Sequence, residues 1–182
     1  MSRGVAIWLT GMSGAGKSTI ASGLKRELEA RGRSVEVLDG DEVRTHLSEG
    51  LSFSREDRDI NVARIAFVAS LLVRHGATVI TAMISPYSAA REAARERIGS
   101  FVEVYVRCSI EELTRRDVKG LYARALRGEI PHFTGISDPY EPPENPDVVV
   151  DSGAETAEVS IGKIIAVLDQ RGYFAPRVQS TP

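Results

Sequence analysis

Short apolar runs recur along the chain at Val5–Leu9, Val35–Leu38, Thr78–Ala82, Phe101–Val106 and Val148–Val150. They are rich in Val and Ile, and few of them alternate with polar residues. Such runs suit strands buried on both faces of a parallel sheet. Between them the spacing of apolar residues becomes helical. Ser18–Ala30 carries Ile20, Leu24 and Leu28 on one face, and Asn61–Val73 carries Ile65, Val68, Leu71 and Leu72. Val159–Leu168 carries Ile161, Ile164, Ile165 and Leu168. Gly32, Gly76 and Gly172 follow these three segments, where a left-handed C-terminal turn is expected. The alternation predicts an α/β fold: a doubly wound, mostly parallel sheet flanked by helices.

Two stretches break the pattern. Ser48–Asp57 is polar and lies just before a helix. Lys119–Pro146 is long, with four prolines from Pro139 to Pro146. A connection of that length in a compact domain points to a function. We read a mobile lid over about 117–146 that ends in an extended, Pro-rich return to the last strand. Its Leu121, Tyr122, Ile130, Phe133 and Tyr140 are more apolar than a disordered insertion would carry. One domain is expected over 1–176, with a frayed tail at 177–182 and no internal repeat.

Composition narrows the partners. The chain has 182 residues, 42% hydrophobic and 26% charged, which suits a globular domain with a sizeable core. A net charge of −2 gives no support for a nucleic-acid or membrane partner. An anionic ligand must then be held by a local cluster of positive groups. The single cysteine, Cys108, excludes an intramolecular disulfide and fits a reducing compartment. The first apolar run is too short for a secretory segment or a membrane span, so a cytoplasmic location is expected.

The strongest chemical signal follows the first predicted strand. Gly11-Met12-Ser13-Gly14-Ala15-Gly16-Lys17-Ser18 matches G-x-x-x-x-G-K-[ST], and Thr19 continues into the predicted helix. The glycines let successive backbone N–H groups turn inward around phosphate oxygens, and the helix N-terminus adds partial positive charge. Lys17 is placed to reach the β- and γ-phosphates of ATP, and the Ser18 hydroxyl to ligate Mg²⁺. The loop alone does not separate a kinase from an ATPase or a nucleotide sensor. An Asn-Lys-x-Asp segment of the GTPase kind is absent.

The acceptor side is written after the second and third strands, because ligands of open α/β sheets lie beyond the strands' carboxyl ends. Asp39 and Asp41 lie there. One carboxylate could accept a hydroxyl proton and the other could hold a metal-bound water, or either could cap the next helix with Arg44 as ion-pair partner. Arg58 and Asn61 are three apart and share a helix face, so Arg44, Arg58 and Asn61 could bind an anionic group. Phe53 could stack on a base. Ser85, after Ile84, either lines the acceptor pocket or caps a helix. His46, His75 and His132 show no metal-ligand spacing. Trp8 is expected in the core, and Cys108 is expected to be buried.

Taken together these motifs resemble the adenylylsulfate kinase (APS kinase) family. The resemblance rests on the phosphate loop, Leu38-Asp39-Gly40-Asp41, Phe53-Ser54 with Glu56-Asp57-Arg58 and Asn61, and Ile84-Ser85-Pro86-Tyr87. It continues through Lys119-Gly120-Leu121-Tyr122, Phe133-Thr134-Gly135-Ile136 and Asp138-Pro139-Tyr140-Glu141-Pro142-Pro143, and spans about Gly4 to Phe174. It implies transfer of the γ-phosphoryl group of ATP, with Mg²⁺, to the 3′-hydroxyl of adenosine 5′-phosphosulfate. Asp39, Asp41, Arg44, Phe53, Arg58, Asn61, Ile84, Ser85, Lys119, Leu121, Phe133 and Thr134 would bind that acceptor. Phe53 and Phe133 would clamp its adenine, and Asp41 would meet its ribose hydroxyl.

The candidate catalytic set is Lys17, Asp41 and Ser85. The resemblance attaches a phosphoserine intermediate to Ser85, but a positioned hydroxyl can attack phosphorus directly, so Ser85 is read as lining the pocket. A homodimer, and a separate ATP sulfurylase upstream, are also implied. Val118 stands where the family has Pro, and Ala123-Arg124-Ala125-Leu126-Arg127 replaces a more basic run. These departures bear on ATP affinity and lid closure rather than on the reaction. Two other readings remain: a kinase of another small hydroxyl metabolite, and a non-catalytic nucleotide-sensing domain.

Overall fold

The computed structural model describes residues 3–117 and 119–174, apart from the side chain of Asp41. Val118 and the expected tail at 177–182 lie outside the described residues. The elements run β1 (Val5–Thr10), α1 (Lys17–Ala30), β2 (Val35–Asp39), α2 (Gly40–His46), α3 (Arg55–Arg74) and β3 (Thr78–Ala82). They continue with α4 (Ser88–Ile98), β4 (Phe101–Arg107), α5 (Ile110–Arg116), α6 (Leu121–Leu126), β5 (Val148–Asp151) and α7 (Ala157–Gln170).

The strands form one sheet in the order β2-β3-β1-β4-β5, and every pairing is parallel. β1 is central and buried at all its positions, as a strand covered on both faces must be. Its odd-numbered residues Val5, Ile7 and Leu9 pack with α1 and α7 through Ile20, Leu24, Leu28, Ile164 and Leu168. Ala6 and Trp8 point to the other face, with α3 and α4. The chain visits β2 and β3 on one side of β1, then β4 and β5 on the other. The crevice beyond the carboxyl end of β1 therefore lies at the switch point of the sheet, where such folds bind ligands.

All five predicted strands are present, four of them one residue longer than expected. Gly32, Gly76 and Gly172 take the expected positive φ angles of 75°, 85° and 69°. α3 departs from expectation at both ends. It begins at Arg55, inside the stretch expected to be non-helical, because the Ser54 hydroxyl accepts from the Asp57 amide at 3.2 Å and Glu56 and Asp57 favour the first turn. Its buried face is Val62, Ile65, Ala66, Ala69 and Val73, whereas Leu71 is exposed and Val68 and Leu72 are only half-buried. Alanines on α3 and α4 pack the two helices closely, which turns the larger residues outward.

The long 119–146 connection holds one short helix, α6. It is also tied down: the Glu141 amide donates to the Pro86 carbonyl at 2.8 Å, and Tyr122, Ala125 and Phe133 join the α1/α7 core. No helix among the described residues is long and apolar enough to cross a membrane.

Candidate active site

The phosphate loop leaves β1 hard against β4. A Cβ added at Gly11 would lie 2.4 Å from the Val106 carbonyl oxygen, so only glycine passes there. Gly16 takes φ 91° at the start of α1 and offers no side chain to the first amides of the helix. Those amides face the end of the sheet as donors for an anion. Lys17 is nearly buried, and its Nζ donates to the carbonyls of Gly11 and Met12, both at 2.7 Å. The Ser18 hydroxyl donates to Asp39 Oδ2 at 2.8 Å, which joins α1 to the end of β2.

Across the crevice stand the acceptor candidates. The Arg44 guanidinium lies 4.2 Å from the centre of the Phe53 ring and donates to the carbonyls of Leu51 and Ser52. Arg58 is nearly buried between two chain segments, donating from Nε to the Phe53 carbonyl at 2.8 Å and from Nη2 to the His132 carbonyl at 2.6 Å. Burial pulls its pKa below the ordinary arginine value, and the electrostatic pull of Tyr87 and Asp138 offsets part of that. Asn61 Oδ1 accepts from the buried Ser48 hydroxyl at 2.5 Å. Phe53 is half exposed. Phe133 is buried edge-on against Tyr122, with ring centres 5.0 Å apart.

Ser85 does not cap a helix, since α4 begins at Ser88 with Tyr87 at its cap position. It is buried with φ 39°, a strained angle for a residue with a Cβ. Its surroundings hold it there. Trp8 Nε1 donates to its hydroxyl at 3.1 Å, Arg91 Nη1 to its carbonyl at 2.8 Å, and the Thr10 hydroxyl to the Ile84 carbonyl at 2.7 Å. Arg91 is itself paired with Glu103 at 2.9 Å.

One cavity of about 550 Å³ collects most of these residues. Ser13, Gly14 and Gly16–Thr19 line one side; Arg44, Phe53, Arg58, Asn61 and Phe133 line the other; Asp39, Ile84, Ser85, Lys119, Leu121 and Thr134 complete it. Gly11, Met12 and Ala15 do not line the cavity; Ala15 is fully buried. The Asp41 backbone lies in the first turn of α2, and its side chain is outside the described residues. The histidines are exposed, Trp8 and Cys108 are buried, and no group of His, Cys, Asp and Glu among the described residues could hold a metal by itself.

Sequence reasoning missed the supports: Thr10, Ser48, Arg91, Glu103, Tyr122 and Tyr140. Glu103 did leave a signal, as a lone carboxylate in the middle of an apolar strand. Tyr122 was visible as a residue of the lid and of the Lys119-Gly120-Leu121-Tyr122 motif, but its role was not, because its partner is a backbone carbonyl, that of Ser13, at 2.7 Å.

A parallel sheet in this order, with a G-x-x-x-x-G-K-S loop at the end of its central strand and a cationic, aromatic wall facing it, defines a P-loop kinase fold. The family profile for adenylylsulphate kinase matches residues 3–151. The chain is 56% identical over 172 residues to the adenylyl-sulfate kinase of Microcystis aeruginosa, covering 94% of this chain and 95% of that one. It is 59% identical over 174 residues (96% of this chain) to the probable bifunctional SAT/APS kinase 2 of Sorangium cellulosum, of whose length it spans 30%. The structure of the APS kinase CysC of Mycobacterium tuberculosis in complex with AMPPNP and APS matches with a TM-score of 0.89 at 40% identity, covering 93% of this chain and 99% of that one. The chain belongs to the adenylylsulphate kinase family.

Proposed function

We propose that this chain transfers the γ-phosphoryl group of ATP to the 3′-hydroxyl of adenosine 5′-phosphosulfate, giving ADP and 3′-phosphoadenosine 5′-phosphosulfate. The observation that carries the reading is the single cavity that joins the phosphate loop to the Arg44, Phe53, Arg58, Asn61 and Phe133 wall. One side suits a triphosphate, and the other suits a purine and an anionic ester.

The chemistry asked of the protein is positioning and charge neutralisation. Lys17 would exchange the Gly11 and Met12 carbonyls for phosphate oxygens. The α1 amides would hold the β-phosphate. Asp41 would take the acceptor hydroxyl's proton, and Ser85 would support the acceptor without being phosphorylated. Ser18 and Asp39 offer hard oxygen atoms 2.8 Å apart, a donor set that fits Mg²⁺ shared with the nucleotide's phosphates. When bound, the ion would neutralise charge on the transferring group. Residues 117–146, which carry Lys119, Leu121, Phe133 and Thr134, would act as the lid.

A cytoplasmic location completes the proposal, as does an ATP sulfurylase activity to supply the acceptor. Self-association as a homodimer is supported by the exposed stripe of Ile60, Phe67 and Leu71 on α3. A coupled ADP-release assay tests the reading. Rapid ADP formation dependent on adenosine 5′-phosphosulfate is expected. Turnover with another small alcohol, and none with this acceptor, would overturn it.

A further inference from the structure

Tyr122 touches both halves of the cavity. Its hydroxyl donates to the Ser13 carbonyl at 2.7 Å, inside the phosphate loop and 109 positions away in sequence. Its ring lies over the same loop, with Cε2 4.0 Å from the point where a Cβ on Gly14 would stand. The hydroxyl thus fixes the plane of the 13–14 peptide, whose N–H must point the opposite way from the carbonyl. On its other side the ring meets Phe133 at 5.0 Å, edge to face at 80°. The next residue back, His132, gives its carbonyl to Arg58, which also holds the Phe53 carbonyl.

Tyr122 does not move independently of its helix. Asp117 accepts from the amides of Tyr122 and Ala123 at 2.9 and 3.0 Å, fixing the start of α6. A continuous chain of contacts therefore runs from the phosphate loop through Tyr122 and Phe133 to the Arg58 and Phe53 wall. A ligand that orders one end leaves less to be ordered at the other.

We propose that Tyr122 is a positioning residue that couples the two ligand sites, so that a nucleotide on the phosphate loop tightens the acceptor site and the reverse. The inference rests on the two-substrate reading above. It adds a reciprocal linkage carried by one hydroxyl and one ring.

The test is calorimetric titration of the full chain with a non-hydrolysable ATP analogue, alone and with saturating adenosine 5′-phosphosulfate. The wild-type chain should bind the analogue about 5-fold or more tightly when the acceptor is present. In Tyr122→Phe, which keeps the ring and loses the hydroxyl, that ratio should fall to within about 2-fold of unity. Phe133→Leu should lower the ratio as well, and the double variant should lose no more than the larger single loss, because both residues act on one link. If Tyr122→Phe fails to fold, Phe133→Leu alone carries the test. An undiminished ratio in the folded variants overturns the proposal, as does equal weakening of both ligands with the ratio intact. Wild-type binding of both ligands with no coupling overturns the linkage alone. No binding of adenosine 5′-phosphosulfate at all overturns the functional reading itself.

Discussion

Arg58 and His132 are 74 positions apart, and the arginine Nη2 donates to the histidine carbonyl at 2.6 Å. The bond closes one wall of the cavity, because the same guanidinium holds the Phe53 carbonyl through Nε. It also secures a strained residue, since His132 takes φ 57°. Lysine keeps the charge but cannot reproduce the two-pronged contact. Arg58→Lys should therefore cost about 2–3 kcal/mol of acceptor binding, roughly 30–160-fold in its KM. The KM for ATP should rise by no more than about 5-fold, the size of the linkage between the two sites, since no phosphate-loop contact is lost. Steady-state kinetics with each substrate varied in turn would decide it; an equal rise in both KM values would place Arg58 outside the acceptor wall.

Ser85 is held through its carbonyl, which accepts from Arg91 Nη1, and through its hydroxyl, which serves as acceptor for Trp8 Nε1. A group engaged in that way is a poor candidate for the attacking nucleophile. Ser85→Ala should keep kcat within about 10-fold, because in-line transfer needs no phosphoserine. It should lower stability by about 1–3 kcal/mol, because the buried Trp8 N–H loses its partner. Denaturant melts and rapid-quench kinetics read the two effects separately. A phosphorylated Ser85 that forms and decays at the turnover rate would contradict this account.

The contrast between Ser85 and Lys17 shows which parts of the site can be read from sequence. Lys17 sits in a contiguous motif whose chemistry is local, so spacing alone identifies it. The strands were legible because parallel strands are buried on both faces and read as unbroken Val and Ile runs. α3 was legible in kind, but its buried face was mistaken, because alanines rather than leucines pack against α4. Ser85 depends on Trp8, Thr10 and Arg91, which are distant or unmarked in sequence. Tyr122 acts on a backbone carbonyl, which every residue possesses. Long-range bonds to main-chain atoms leave no pattern, so supporting residues are the least visible from sequence.

Thr134 carries a buried Oγ1 with no hydrogen-bond partner among the described residues, and the residue lines the cavity. An orphaned hydroxyl costs stability unless a ligand satisfies it. Thr134→Val preserves shape and removes the hydroxyl. It should leave stability unchanged or raise it by up to about 1 kcal/mol, while raising the acceptor KM about 5–10-fold. Thr134→Ser should restore the affinity. Thermal melts and acceptor titration check the opposite signs, and an unaltered KM in the valine variant would place the hydroxyl outside acceptor recognition.

Asp147 precedes β5 and ties that edge of the sheet to its neighbours. Its carboxylate accepts from the Glu103 amide and Arg171 at 2.6 Å each, and from Arg95 at 3.0 Å. Burial alone would push its pKa up, but the amide and the two guanidinium groups outweigh burial and hold it below the ordinary value of 3.8. A carboxyl depressed in the folded state stabilises the fold above its unfolded pKa, and that contribution is lost as pH falls through the folded value. The stabilising contribution should therefore be complete at pH 7 and fade below about pH 4. Asp147→Asn should lower stability by about 1–2 kcal/mol at pH 7, since both arginines are partly solvated. The gap between variant and wild type should close on acidification, because a protonated Asp147 is itself neutral. Urea melts at pH 7, 5 and 3 measure that gap; a difference independent of pH would show that shape rather than charge holds this edge together.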